Sequence, residues 1–247
     1  MAFPDLRKDF LSHFCNSKLQ KDNLVCDLWF DQEGITLNGP YEPGENPRRT
    51  REKEIDLDDV DPIPTCLKLV LKASDSYVPS AEDLGKIHRV FPNVKTVRIE
   101  FSVDDFSFLR DCESLYYLTV ISSKQSHLKG IEFVHQITHL CLSDAHEDDY
   151  PARVDPWNLS NLDHCRLLIL AINTNQFCKF VGRGVVLPTL RELILSETCY
   201  RACKVVDIPQ RCEINMRYNG STKRQISDAI VRWKPENEFY AGNSSQH

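Results

Sequence analysis

The stretch LPTLRELILSET, residues 187–198, places apolar side chains at Leu187, Leu190, Leu193 and Leu195. Two steps of three close into a step of two. A helix repeats every 3.6 residues and a half-buried strand every two, so neither accounts for the whole run. The same template recurs five more times: Ile63-Cys66-Leu69-Leu71, Phe91-Val94-Val97-Ile99, Cys112-Leu115-Leu118-Val120, Val134-Ile137-Leu140-Leu142 and Leu162-Cys165-Leu168-Leu170. Every slot of every copy is apolar. With the second slot as origin, at 66, 94, 115, 137, 165 and 190, the copies follow at 28, 21, 22, 28 and 25 residues. Periods of this size mark stacked-repeat architectures, in which each unit buries its apolar face against its neighbours.

Three residues after the last slot stand Ser74, Ser102, Ser123, Ala145, Asn173 and Thr198, five of them small and hydrogen-bonding. Pattern and column together resemble the leucine-rich repeat over residues 63–200. That resemblance implies an α/β fold: a leucine-rich-repeat solenoid with a curved parallel sheet, an irregular or helical convex side, and helical N- and C-terminal caps. On the convex side SAEDLGKIHRVF predicts a helix, with Ser80 as N-cap, Asp83 three residues on, and Leu84, Ile87 and Phe91 along one face. Residues 201–240 are expected to cap the C-terminal end. CEINMRY alternates Cys212, Ile214 and Met216 as a last strand would, and STKRQISDAIVRWK puts Ile226, Ala229, Ile230 and Trp233 on one helical face. Residues 241–247 read as a polar tail.

Residues 1–30 depart from the repeat. FPDLRKDFLSHF gathers Phe3, Leu6, Phe10, Leu11 and Phe14 on one helical side, with Pro4 near its start. SKLQKDNLVCDLWF then predicts a second short helix through Leu19, Leu24, Val25, Leu28 and Trp29. Phe3-Pro4 in front and Leu24-Val25-Cys26 with Trp29 behind resemble an F-box, although Arg7, Lys8 and Asp22 stand where that family favours other residues. The resemblance implies docking of a Skp-type adaptor of a cullin ubiquitin ligase through Phe3, Pro4, Phe10, Phe14, Leu24, Val25 and Trp29. The plainer expectation is a helical cap on the first repeat. Residues 31–62, rich in Gly, Pro and mixed charge, read as a polar linker or exposed loop.

Composition sets outer bounds. At 247 residues, 41% hydrophobic, 27% charged and net charge -6, the chain reads as one elongated domain, or a domain with a small appendage, and advertises no nucleic-acid partner. MAFPDLRKDF has no apolar signal core, and no run approaches the roughly 20 apolar residues of a membrane span, so the expected location is cytoplasmic or nuclear. The ten cysteines are scattered and several fill core slots, which reads as thiols. The sequons at Asn158, Asn219 and Asn243 matter only in the secretory pathway.

No cofactor or metal is implied. His135 and His139 are four apart, but the repeat puts His139 on a strand, where helical zinc-ligand geometry is lost. Cys199, Cys203 and Cys212 lack a paired C-x-x-C and a fourth ligand. The acidic run at His146, Glu147, Asp148 and Asp149 falls in a turn, where solvated carboxylates are ordinary; a hydrolase built on it is the distant alternative.

In such a solenoid the residues alternating with the leucines face away from the core. These are Val70, Arg98, Thr119, Cys141, Ile169 and Ile194 in the middle, flanked by Tyr117, Ile121, His139 and Leu167 among others. The expectation is a concave, largely apolar partner site formed by Tyr117, Thr119, Ile121, His139, Cys141, Leu167, Ile169 and Ile194, free unless the chain's own C-terminal segment or a loop covers it. Function is then expected to be protein recognition without catalysis. The F-box resemblance implies a substrate receptor of a Skp-cullin ligase; failing the F-box, the expectation is a repeat scaffold with no ubiquitin link.

Overall fold

Each copy of the template makes the same two moves. First comes a tight turn, in which the second slot's N–H donates to the first slot's carbonyl: Cys66 to Ile63 (3.2 Å), Val94 to Phe91 (3.2 Å), Leu115 to Cys112 (2.9 Å), Ile137 to Val134 (3.3 Å), Cys165 to Leu162 (2.9 Å) and Leu190 to Leu187 (3.1 Å). The chain then straightens into a strand, where alternation sends the last two slots to one side. The computed structural model describes residues 24–41, 55–74, 77–122, 127–143, 157–163, 165–173, 180–181, 185–196, 206–207 and 209–217.

The strands, in chain order, are β1 (Leu24–Asp31), β2 (Gly34–Tyr41), β3 (Cys66–Ala73), β4 (Thr96–Ile99), β5 (Tyr117–Ile121), β6 (His139–Ser143), β7 (Trp157–Asn158), β8 (Ile169–Asn173), β9 (Phe180–Val181), β10 (Val185–Val186), β11 (Glu192–Ser196), β12 (Val206–Asp207) and β13 (Glu213–Arg217). Nine form one open sheet in the order β13-β11-β8-β6-β5-β4-β3-β1-β2, and every neighbouring pair but β1–β2 is parallel. The two-residue strands pair separately, β7 with β9 and β10 with β12. This is an α/β fold whose parallel sheet grows almost in sequence order.

Two columns of side chains form the spine of the core. Leu69, Val97, Leu118, Leu140, Leu170 and Leu193 lie in register, as do Leu71, Ile99, Val120, Leu142, Ile172 and Leu195, and all are buried. Each contributes roughly 1.5–3 kcal/mol by leaving water. The connections cover this side. Helix α1 (Ala81–Gly85) is capped by Ser80, whose Oγ accepts from the Asp83 N–H at 3.0 Å, and α2 (Ile87–Val90) follows directly. The helix expected from SAEDLGKIHRVF is thus present, split at Lys86, and it buries Leu84, Ile87 and Phe91. Short 3-10 turns at Phe106–Leu109, Ile131–Phe133 and Ser160–Leu162 bury Phe106, Leu109, Ile131 and Leu162 in the same core. Adjacent turns are tied at Gly130. Its φ of 87° turns the chain so that the Lys129 carbonyl accepts from the Phe106 N–H at 2.8 Å.

The structure departs from the sequence reading in three places. The fifth copy enters its strand two residues late, because Leu170 and Ile172, not Leu168 and Leu170, pair with Leu140 and Leu142. Leu168 takes the slot of Thr138: each carbonyl accepts two successive N–H groups, Thr138 from Leu168 and Ile169 (2.7 and 3.1 Å), Leu168 from Arg191 and Glu192 (2.8 and 3.1 Å). In the unbroken apolar run LLILAI a two-residue slip preserves the alternation, so the pattern fits either register.

Secondly, Leu24 to Asp31 is a strand and not the second helix of an appendage. Leu24, Val25, Leu28 and Trp29 satisfy helical spacing, but Cys26, Leu28 and Phe30 also alternate. The open edge of β3 lets all three of these bury fully in the main core. Thirdly, residues 31–62 are not simply a linker. They contribute β2, antiparallel on β1 with a register shift between Val25 and Asp27, and the edge is partly closed where the Ile55 N–H donates to the Ile35 carbonyl at 3.0 Å. Leu57, at the head of a 3-10 turn, is buried, and Arg89 donates to the carbonyls of Leu57 and Val60 (3.2 Å to the latter). Lys86 reaches Asp58 at 2.7 Å.

At the far end β13 pairs in parallel with β11, as expected for CEINMRY. The helix expected at 221–234, the tail at 241–247 and the N-terminal helix with Phe3, Pro4, Phe10 and Phe14 lie outside the described residues. Among the residues of the polar column, Ser102 bonds the Ser122 hydroxyl at 2.9 Å, whereas Ser123, Ala145 and Thr198 are outside the described residues.

Candidate functional site

The sheet face opposite the main core is organised in three rows by the strand register. One runs Val25, Lys68, Thr96, Tyr117, His139, Ile169, Glu192 and Glu213; the next Asp27, Val70, Arg98, Thr119, Cys141, Ala171, Ile194 and Asn215; the last takes in Trp29 and Lys72 at one end and Ile121 and Ser143 further along. Tyr117, Thr119, Ile121, His139, Cys141, Ile169 and Ile194 therefore come together on one face, as the sequence predicts. Leu167 does not. It precedes β8, where the two added residues turn it into the main core, and Ala171 takes the open-face position instead.

The face is polar at one end and apolar at the other. On β1, β3 and β4 charges are paired: Lys72 Nζ lies 3.0 Å from the Oδ2 of buried Asp27, and Arg98 Nη2 lies 2.6 Å from Glu100 Oε1. Trp29 is 37% exposed beside Lys72. Lysine, arginine and an accessible indole side by side are the residue types that recognise peptides by cation–π and charge-assisted contacts. Leu24, Val25 and Trp29, read from sequence as adaptor contacts, thus belong to the sheet, with Val25 buried. The Asp27–Lys72 pair escapes a hydrophobic template, since only the register brings β1 and β3 together, whereas Arg98 and Glu100 are i, i+2 neighbours on one side of their own segment.

Midway, His139 contacts two tyrosines at ring-centroid distances of 5.9 Å, edge-on to Tyr116 (78°) and tilted against Tyr117 (33°), and its Nδ1 is 2.8 Å from Thr138 Oγ1. Burial lowers the imidazole pKa below its usual value, while the Glu192 carboxylate acts the other way. Burial likewise raises the Tyr116 hydroxyl.

Towards β11 the face is closed. Thr119, Cys141 and Ala171 are 1% exposed and Ile194 is 2% exposed, and the last three form a small cluster of their own with Ile169. The apolar patch expected to stand open is buried along this row. Small side chains fill its middle, so neighbours in register pack tightly.

Among the described residues no three His, Cys, Asp or Glu side chains gather as a metal site, and no helix is long and apolar enough to cross a membrane. His135 is exposed on a turn while His139 starts β6. The described cysteines, Cys26, Cys66, Cys112, Cys141, Cys165 and Cys212, are thiols. Burial pushes Cys112 up to about 12 and Cys165 and Cys212 to about 11, and the Cys26 side chain with burial raises Cys66, which keeps these thiols protonated at neutral pH. The acidic run at 146–149 and Cys199 and Cys203 are outside the described residues. Compared with protein families, with curated proteins and with solved structures, the chain matches none of them.

Proposed function

We propose that this chain is a protein-recognition module of the leucine-rich-repeat type, a non-catalytic scaffold that meets another polypeptide on the open face of its sheet. The observation that carries the reading is the stack itself, in which six copies of one template repeat the same turn and feed successive strands of one parallel sheet, the fifth with two residues inserted. Such a stack offers a broad, rigid row of side chains at fixed spacing, and it leaves Trp29, Lys72 and Arg98 as the contacts a partner meets first. A photoreactive amino acid at Trp29 or Thr96 tests it against one at Phe133, exposed among the connections. Partner adducts from the open face and none from Phe133 support the assignment; equal yields from both, or none from either, remove it.

A second reading adds a Skp-type adaptor and makes the chain a substrate receptor of a cullin ubiquitin ligase. With Leu24, Val25 and Trp29 in β1, it rests on Phe3-Pro4, Phe10 and Phe14. Purified adaptor retained by the full chain and lost by a Phe10→Ala, Phe14→Ala double variant supports it. Failure of the full chain to retain adaptor leaves the plain scaffold.

A further inference from the structure

We propose that the groove between α1 and the 106–109 turn binds a linear peptide segment of another protein, one that carries a bulky apolar side chain within two residues of a lysine or arginine. This surface lies among the connections, away from the open sheet face, and it does not rest on the recognition role assigned to that face.

Unequal repeat lengths make the groove. The copy that starts at Ile63 takes 28 residues to reach the next and fills them with α1 and α2, whereas the next takes 21 and turns on one short 3-10 segment. A two-helix connection beside a one-turn connection leaves a step. The following pair, with steps of 21 and 22, closes up: the Phe106 N–H donates to the Lys129 carbonyl at 2.8 Å, and Gln136 Nε2 donates to the carbonyls of Leu109 and Cys112 at 2.9 and 3.0 Å. No backbone hydrogen bond among the described residues joins α1 to the 106–109 turn. What lies between them is a cavity of about 410 Å³, within the range of binding clefts. Buried Leu84, Phe101 and Val103 line it, with half-buried Phe108 and, at 63% exposed, Val78. Val78 is the most exposed large apolar side chain among the described residues, and it continues an apolar lining rather than standing singly. A Cβ added at Gly85, which also lines the groove, meets nothing within 4 Å. The cleft is therefore open at Val78 and Gly85, so a chain can enter and leave it.

Charge selects the occupant. Asp104, Asp105 and Asp111 line the groove, with Arg110 as the one cation in its lining. Two of these acids are engaged: Asp105 lies 3.5 Å from Lys129 Nζ and accepts from the Ser107 N–H, and Asp111 lies 3.4 Å from Arg110 Nε. Asp104 is exposed and forms no ion pair with any described residue. An apolar lining with one uncommitted carboxylate complements an apolar side chain beside one cation, and it disfavours an acidic segment. A compact cavity of this volume is about 7 Å across, or two residues of extended chain, which sets the spacing of the two groups.

A phage-displayed library of random hexapeptides is selected on the immobilised full chain, and enriched peptides are synthesised for fluorescence anisotropy. They are expected to place Leu, Ile, Met or Phe within two positions of Lys or Arg. Binding falls at least tenfold in Asp104→Lys and in Val78→Asp, both at exposed positions that leave the fold intact, and is unchanged in Trp29→Ala. Exchanging the peptide's cation for Glu abolishes binding to the parent and restores it to Asp104→Lys. Four results overturn the proposal: no enrichment over an unrelated protein, enrichment of acidic sequences, affinity indifferent to Asp104→Lys and Val78→Asp, or loss in Trp29→Ala, which moves the peptide to the open face. N-acetylarginine amide binding as tightly as the peptide also refutes it, making the cleft a pocket for small cations. Crosslinking from the open face uses none of these variants, so the two readings fail separately.

Discussion

Gly130 and Gly85 make opposite predictions for one and the same chemical change. At Gly130 the backbone is left-handed, φ 87°, and an added Cβ would fall 2.6 Å from the Ser107 nitrogen and 2.9 Å from the Phe106 nitrogen, besides striking Asp105 Oδ1. That carboxylate caps the 106–109 turn by accepting from the Ser107 N–H at 2.8 Å; burial works to raise its pKa, but its bonds to Ser107, and after them Lys129, hold it below the usual range. Gly130→Ala therefore adds a left-handed penalty of about 1–2 kcal/mol to a displaced cap of about 0.5–2 kcal/mol. The expected loss is about 2–4 kcal/mol. At Gly85, the last residue of α1, an added Cβ meets nothing within 4 Å, so alanine there gains about 0.4–1 kcal/mol by restricting the unfolded chain. Urea unfolding followed by circular dichroism separates them. With a slope of about 3 kcal/mol per molar, Gly130→Ala lowers the midpoint by about 1 M while Gly85→Ala raises it slightly. Placing Gly130→Ala on an Asp105→Ala background relieves only the carboxylate's share, because the two backbone nitrogens stay where they are. A neutral Gly130→Ala, or the same sign at both glycines, refutes the argument.

Leu167→Ala is expected to cost about 2–5 kcal/mol, and more than Leu168→Ala, because the two-residue entry into β8 buries the former fully; the reverse order in urea midpoints would restore the register of the bare template. Lowering the pH below about 6.5 destabilises the fold through His139. Its buried imidazole takes up a proton less readily than in the unfolded chain, so this contribution is complete above the ordinary histidine pKa and is lost as pH falls through the lowered folded value. Midpoints measured from pH 7.5 to 5 should slope less in His139→Asn, and an unchanged slope counts against it. Ser80→Ala removes the cap on α1 for about 1 kcal/mol, with Ser80→Thr retaining most of it.

The repeat was legible because one spacing fixes two geometries at once, a turn at the three-residue steps and a strand at the two-residue step. It blurred where residues satisfied both available descriptions. Cys26, Leu28 and Phe30 in β1 share their segment with a helical spacing, and only the unfilled edge of β3 decides between them. In β8 the leucines and isoleucines are so continuous that nothing local marks where the strand begins. β2 hid behind Gly34, Gly39, Asn38 and Pro40, which punctuate loops, while only Ile35 and Leu37 alternate towards the core side. The open face was legible in its membership, Leu167 and Ala171 excepted, but not in its state, since how deeply a side chain is buried depends on long-range packing and leaves no periodic trace. Salt bridges such as Asp27–Lys72 join residues that only the sheet brings near each other.

A parallel stack has no built-in terminus, since each strand offers the next the edge it received. β2 ends that succession by running backwards: its reversed direction, the offset opposite Val25 and Asp27, the bond from Ile55 and an imide nitrogen at Pro40 deny a further copy the unbroken ladder it needs. Addition of a further copy at this edge is thereby blocked, and head-to-tail assembly into fibres through it is denied.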